Sequence, residues 1–323
     1  MKKILPLLLG LTLLSGCAQP MQEPERAKLQ IVTTVFPAYD FARAVAGDLA
    51  DVTLLLPPGI ESHSYEPTPA DILAVQECDL FICLGGESDA WVDTILSAVE
   101  PQGETLRMTQ CVELLEEATV EGMQETPGHD HEGHDHSDGY GLGEVMEMDE
   151  HVWTSPRNAS SITMAISDVL VELDAANAET YQENAGSYAG ELEALDLEFQ
   201  ELFASIDQPV LVFGDRFPLR YFVERYGVEY YAAFPGCSTQ TEPSAATIAF
   251  LTEKVESEQI GTVWYIEFSN HLVADSIAEA TGAGTSLFHT CHNVTQAEMD
   301  GGATYLTLME GNLERLRTAF TER

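Results

Sequence analysis

The sequence predicts an α/β protein of two lobes, each a mainly parallel sheet of (β/α)4 type with about four strands, joined by a long rigid helix. Three observations carry this. Short, apolar, β-branched runs alternate with helical patterns in the first half, at residues 29–36, 52–57, 79–84 and, more weakly, 105–108. The same rhythm returns after residue 208, at 210–213, 228–234, 262–268 and 286–291. Between the two sets, no proline follows Pro156 before Pro209, and from about residue 177 to 206 the residues Tyr181, Tyr188, Leu192, Leu195, Phe199, Leu202 and Phe203 share one helical face. At about 1.5 Å per residue that helix runs roughly 45 Å, enough to pass along both lobes as a strut.

Taken in order, the chain opens with MKKILPLLLGLTLLSGCAQP, in which two lysines precede an apolar run that stops at Leu14. The run is too short for a spanning helix, and small residues before Cys17 resemble a bacterial lipoprotein processing site. Residues 1–16 are then a signal peptide, Cys17 the lipid-bearing residue, and 17–27 a polar tether outside the cell membrane. The N-terminal lobe follows over 28–155. Within it, residues 116–148 are rich in Glu, Gly, His and Asp and carry too little apolar surface to offset chain entropy, which marks an inserted loop and not a domain boundary. Residues 156–207 form the linking segment, with Pro156 at the first helical position, and 208–323 form the C-terminal lobe.

With 54 acidic against 14 basic residues, a formal charge of −40, the surface repels nucleic-acid phosphates and anionic membranes and favours cations. An apolar content of 45% over 323 residues suffices for sizeable cores. Beyond Cys17 there are five cysteines, Cys78, Cys83, Cys111, Cys237 and Cys291, an odd number for an oxidising compartment, so at least one is free. Cys237 and Cys291 lie in turn-like contexts and could pair, although spacing fixes no connectivity.

Three stretches carry chemistry. HDHEGHDHSDG places His129, His131, His134 and His136 in an acidic, flexible run. Imidazole and carboxylate donors without fixed geometry bind borderline metals weakly and exchange them fast, which suits capture better than catalysis. PPGIESHSYEPTPAD, residues 57–71, follows an apolar strand, where ligands of open α/β sheets bind, and its prolines restrict the loop that holds His63. MDEHVWTSPRNAS sets His151 before a helix start, with Trp153 close enough to pack under the imidazole.

The last two stretches, in this order, resemble the solute-binding lipoproteins of bacterial metal-uptake ABC transporters, the zinc and manganese group, which shares a PPG…H.YEP.P.D loop and a D.H.W.SP segment. The resemblance extends over most of the mature chain, and the His-rich loop lies where zinc members carry theirs. It implies a metal cleft between the lobes with His63 and His151 as the first two ligands. The C-terminal lobe departs from the usual pattern. Where the family places His or Glu before an aromatic-rich helix ending in Tyr-Gly, this chain has VFGDRFPLRYFVERYG; aligned on Phe217 the place falls to Gly214, and aligned on Tyr226-Gly227 to Arg216. Asp215 is the anionic donor nearby, as a ligand or as the N-cap of a helix starting at Arg216. In SLFHTCHNV, His289 stands about where the family has an Asp ligand, with His292 as the alternative; Glu66 and Glu267 are further candidates for a supporting or alternative role.

Three imidazoles and one carboxylate suit four-coordinate Zn2+, whereas Mn2+ favours more oxygen donors. The expected function is extracytoplasmic capture of Zn2+ and its delivery to an ABC permease with its ATPase, by a monomer that is not an enzyme. A manganese- or iron-specific protein of the same type is the alternative. A surface zinc metalloenzyme, for which no HExxH is present, and an adhesin stand further off.

Overall fold

Strand β1 (Leu29–Thr33) is paired on one side by β2 (Ala50–Leu54) and on the other by β3 (Leu80–Cys83), beyond which lies β4 (Glu104–Arg107). All three pairings are parallel, with Ile31 opposite both Val52 and Leu80. In β3 all four residues are buried, as a central strand covered on both faces requires. The second sheet repeats the plan with β5 (Val210–Phe217), β6 (Glu229–Pro235), β7 (Thr262–Ile266) and β8 (Gly284–Phe288) in the order β6-β5-β7-β8, again all parallel. The structure, a computed structural model, describes residues 28–62, 65–86, 90–99, 101–123, 148–236 and 242–321. The expected two-lobe α/β architecture is therefore found, with strand limits shifted by a few residues.

Helices α1 (Phe36–Ala46), α2 (Pro69–Glu77) and α3 (Ala90–Ala98) flank the first sheet. Helix α2 starts in a capping box, in which Thr68 and Asp71 bond each other's backbone N–H groups. Helix α4 (Pro156–Leu173) begins with its proline and turns back into α5 (Ala178–Ala204), the predicted strut, through a corner where Asp174 accepts hydrogen bonds from Asn177 and Tyr181. With 27 residues, α5 is about 40 Å long. The second lobe adds α6 (Arg220–Tyr226), α7 (Ala245–Ser257), α8 (Leu272–Thr281), α9 (Gln296–Asp300) and α10 (Tyr305–Thr321).

One hydrophobic core runs through both lobes. It joins Ile31 and Leu80 of the first sheet to Ile162 and Ile166 of α4, Leu192 and Phe199 of α5, Leu211, Phe213 and Phe288 of the second sheet, and Leu313 of α10. Smaller clusters cover the outer faces, around Val32 and Phe81 in one sheet and Val212 and Val263 in the other. Moving the lobes apart would open this shared core.

At the edge of the acidic insert, Glu116 pairs with Met148 in an antiparallel bridge, and Asp149 N donates to Leu115 O. Residues 115–116 and 148–149 therefore lie side by side. His129, His131, His134 and His136 lie outside the described residues, as do Cys17 and the segment before residue 28. Cys78, Cys83, Cys111 and Cys291 are free thiols. The pairing considered for Cys291 with Cys237 is therefore not present: the Cys291 sulfur is fully buried in the shared core against His289 O, and Cys237 lies outside the described residues.

Candidate metal-binding cleft

In each sheet the first strand is flanked on one side by the second and on the other by the third, so the connections diverge at its carboxyl end. Such switch points are where open α/β sheets hold ligands. Here the two carboxyl edges face one another. A small cleft between them is lined by Ile60, Glu61 and Ser62 after β2, His151, Arg216 and Pro218 around the end of β5, Gly236 after β6, Glu267 and Phe268 after β7, and His292 and Asn293 after β8. Its interior of about 40 Å³ admits an ion and a few waters and excludes an organic solute. The Ser62 hydroxyl is buried there without a hydrogen-bond partner, a polar atom left for a ligand or water to satisfy.

His151 sits in the turn before α4, 1% exposed. Its backbone N–H donates to Asp149 Oδ1 at 2.8 Å, and the same oxygen lies 3.2 Å from Nδ1. This carboxylate fixes the proton on Nδ1 and leaves the Nε2 lone pair for a metal, the arrangement that outer partners impose on ligating histidines. Burial pushes the pKa down, but Asp149, aided by Glu150 and Glu117, outweighs it and holds the imidazole above its ordinary value. Gly236 gives the ring space: a Cβ at that position would come within 3.3 Å of His151 Cε1.

The second histidine in the cleft is His292. Its ring packs edge-on against Trp153 at 5.1 Å and stands 6.0 Å from the His151 ring, between centroids; Trp153 touches both. Trp153 is fully buried and its Nε1–H donates to Thr290 O at 2.9 Å, while Tyr305 Oη donates to Trp153 O at 2.7 Å. Glu267 supports the same loop by accepting from the Thr290 backbone N–H at 2.7 Å and from its hydroxyl, and Thr290 Oγ1 in turn accepts from His292 N at 3.3 Å. Phe36 N, at the start of α1 in the other lobe, donates to His292 O.

His289, expected to face the metal, does not line this cleft. Asn312 of α10 grips its backbone from both sides, at 2.8 and 2.7 Å. Its Nδ1 accepts from Cys291 N at 3.0 Å, and Nε2 lies 3.6 Å from Glu298 Oε1. The cause is local: β8 ends at Phe288 and Cys291 takes a left-handed conformation (φ 63°), so the chain reverses and sends the side chains of 289 and 292 to different sides.

Asp215 does not line the cleft either. One oxygen accepts from Arg216 N at 2.8 Å and the other from Ile266 N at 3.3 Å, which joins β5 to the end of β7. Nor does it cap a helix, because β5 runs on to Phe217 and α6 starts at Arg220. A register shift between Phe213 and Arg216 changes the alternation and turns Arg216 into the cleft. Gly214 could carry no ligand: a Cβ there would lie 2.5 Å from the Ala274 backbone. Glu66 is exposed and outside the lining, and His63 lies outside the described residues. Among the described residues no three His, Cys, Asp or Glu side chains converge on one metal position; the cleft presents two imidazoles and leads into the residue before His63.

Glu298 is held down to about 2 by His289, helped by Thr295 N–H and hydroxyl bonds in the capping box of α9, against a partial burial that opposes this. A carboxylate whose pKa falls on folding stabilises above its unfolded pKa of about 4.3 and loses that stabilisation as pH drops towards its folded value. Acid unfolding followed by circular dichroism should show Glu298→Gln losing less stability than the wild type between about pH 4.3 and 2.

The model of the family described as zinc-uptake complex component A, periplasmic (ZnuA), matches residues 31–319. The zinc-binding lipoprotein AdcA of Streptococcus pneumoniae is 32% identical over 320 residues, which is 98% of this chain but 61% of the relative. The chain thus spans about three fifths of the length of these AdcA relatives. The high-affinity zinc uptake system protein ZnuA of Bacillus subtilis is 30% identical over 90% of this chain and 87% of its own. The crystal structure of the Zn(II)-bound ZnuA-like domain of S. pneumoniae AdcA superposes with a TM-score of 0.72 at 29% identity, covering 91% of this chain and 99% of that domain.

Proposed function

Starting from the membership of this chain in the zinc-uptake complex component A family, we propose that it is the extracytoplasmic Zn2+-binding component of an ABC-type uptake transporter, taking zinc from outside the cell and delivering it to a membrane permease driven by its ATPase. The observation that carries this is the pair His151 and His292, brought to one small cleft around Trp153, with His151 already oriented by Asp149.

In this reading the metal is cargo, and His151, His292 and His63 from the adjoining loop are its nitrogen ligands. Asp215 is a joint between strands and His289 a support for the loop. A set dominated by imidazole favours Zn2+ over Mn2+, which prefers oxygen donors, so the manganese and iron alternative recedes. The protein is a carrier and not an enzyme. His129, His131, His134 and His136 form an accessory loop that gathers metal, and Cys17 carries the lipid anchor that holds a monomer at the cell membrane. The AdcA and ZnuA relatives, named for zinc binding and zinc uptake, support the same assignment.

Calorimetric titration of the metal-free chain, begun after Cys17, tests this directly. One tight Zn2+ is expected, with Mn2+ far weaker, and the tight event should survive deletion of residues 128–139 while weaker events disappear. Loss of all tight binding on that deletion would move the site to the loop and refute the cleft assignment.

A further inference from the structure

The cleft is bridged by polar contacts that none of the metal ligands supplies. Asn293, next to His292 and 1% exposed, spends both amide protons on the opposite lobe, donating to Pro57 O and Ile60 O, each at 2.8 Å. Its own Oδ1 accepts from Val294 N at 2.8 Å, which fixes the amide orientation, and Val294 O accepts from Gly59 N at 2.8 Å. Gly59 is in a left-handed conformation (φ 81°), which keeps this turn tight. Two residues farther along the same loop, Glu61 meets the Arg216 guanidinium of the second lobe at 2.7 and 3.5 Å. The loop that ends in Ser62 and leads to His63 is therefore held at two places by the lobe that carries His292.

We propose that Asn293 and Arg216 are positioning residues that clamp the loop at 57–62, whose residues Ile60, Glu61 and Ser62 line the cleft, against the second lobe, so that the cleft stays closed around its metal and zinc leaves slowly. The inference rests on the zinc reading above. It gives the basic residue found near an expected ligand position a purpose: a guanidinium cannot ligate a metal, but it can hold a carboxylate bidentately and so fix the loop. Asn293 is the inner, water-excluded half of the clamp, and the partly exposed Glu61–Arg216 pair is the outer, salt-sensitive half.

The test is zinc release into an excess of chelator, followed by stopped flow on the full mature chain at low and high salt. Asn293→Asp replaces the Nδ2 that donates both bonds by an acceptor oxygen facing two carbonyls and should speed release by about tenfold or more with one zinc still bound. Arg216→Met should speed it by about twofold to fivefold and remove the salt dependence expected of the wild type, while Arg216→Lys recovers part of both. A residue that merely supports the fold would not give a salt dependence that lysine restores. Should Asn293→Asp fail to fold, the Met and Lys variants at the partly exposed Arg216 decide. Wild-type release rates and salt dependence in both Arg216→Met and any folded Asn293→Asp would overturn the clamp. A control, His151→Ala, separates the two readings: if it abolishes tight zinc while the clamp variants behave as wild type, only the clamp fails, and if tight zinc survives it, the zinc reading fails and the clamp with it.

Discussion

His292→Ala is expected to lower the zinc affinity of this protein by more than about a hundredfold, beyond the loss caused by removing an outer partner of a metal ligand. His289→Ala is expected to leave that affinity within about threefold and to cost stability instead, about 1–3 kcal/mol, because the buried Cys291 N–H loses its acceptor. The contrast separates two histidines three positions apart. Competition with a fluorescent chelator gives the affinities and urea unfolding gives the stabilities. Equal losses of affinity in both variants, or the larger loss in His289→Ala, would return the metal to the buried side of the loop. The His292 ring shares Trp153 and the cleft with His151, whereas His289 is enclosed between Asn312, Cys291 and Glu298.

Trp153→Ala should be the most damaging single substitution to stability around the cleft, at about 3–5 kcal/mol for a fully buried indole. Both histidine rings lean on this side chain, and its N–H anchors Thr290. Zinc affinity should therefore fall as well, although Trp153 cannot ligate. Trp153→Phe keeps a ring but leaves the Thr290 carbonyl unpaired, and the expected cost is about 1–3 kcal/mol. A Trp153→Ala protein with wild-type unfolding midpoint and zinc affinity would mean that the indole is not the support of the two imidazoles.

Much of this molecule was legible in the sequence because it depends on periodicity. Buried parallel strands such as LFIC read as unbroken apolar runs, and α5 shows its buried face in Tyr181, Leu192, Leu195, Phe199 and Phe203. Helix α10, which closes the shared core, carries the same kind of signal in Tyr305, Leu306, Met309, Leu313 and Leu316. His151 was found from its local segment, and Asp149 two residues before it supplies the orientation within the same turn. What the sequence hid depends on single backbone angles and registers. The family position points to His289, but the non-glycine left-handed turn at Cys291 sends His292 to the cleft instead. Choosing Asp215 over Arg216 on charge failed to anticipate the register shift in β5, which reverses which of the two faces the cleft. Neither feature leaves a compositional trace. The clamp through Asn293 spans more than 230 positions of sequence and is visible only when both lobes are in place.

Whether zinc sits between the lobes on His151 and His292 is tested in one step by anomalous diffraction at the zinc edge, on crystals of the zinc-loaded mature chain. One strong peak is expected at about 2.0–2.1 Å from a ring nitrogen of each of these two histidines, beneath the loop held by Asn293. A sole peak at His289 and Glu298, or among His129, His131, His134 and His136, with none in the cleft, would contradict it.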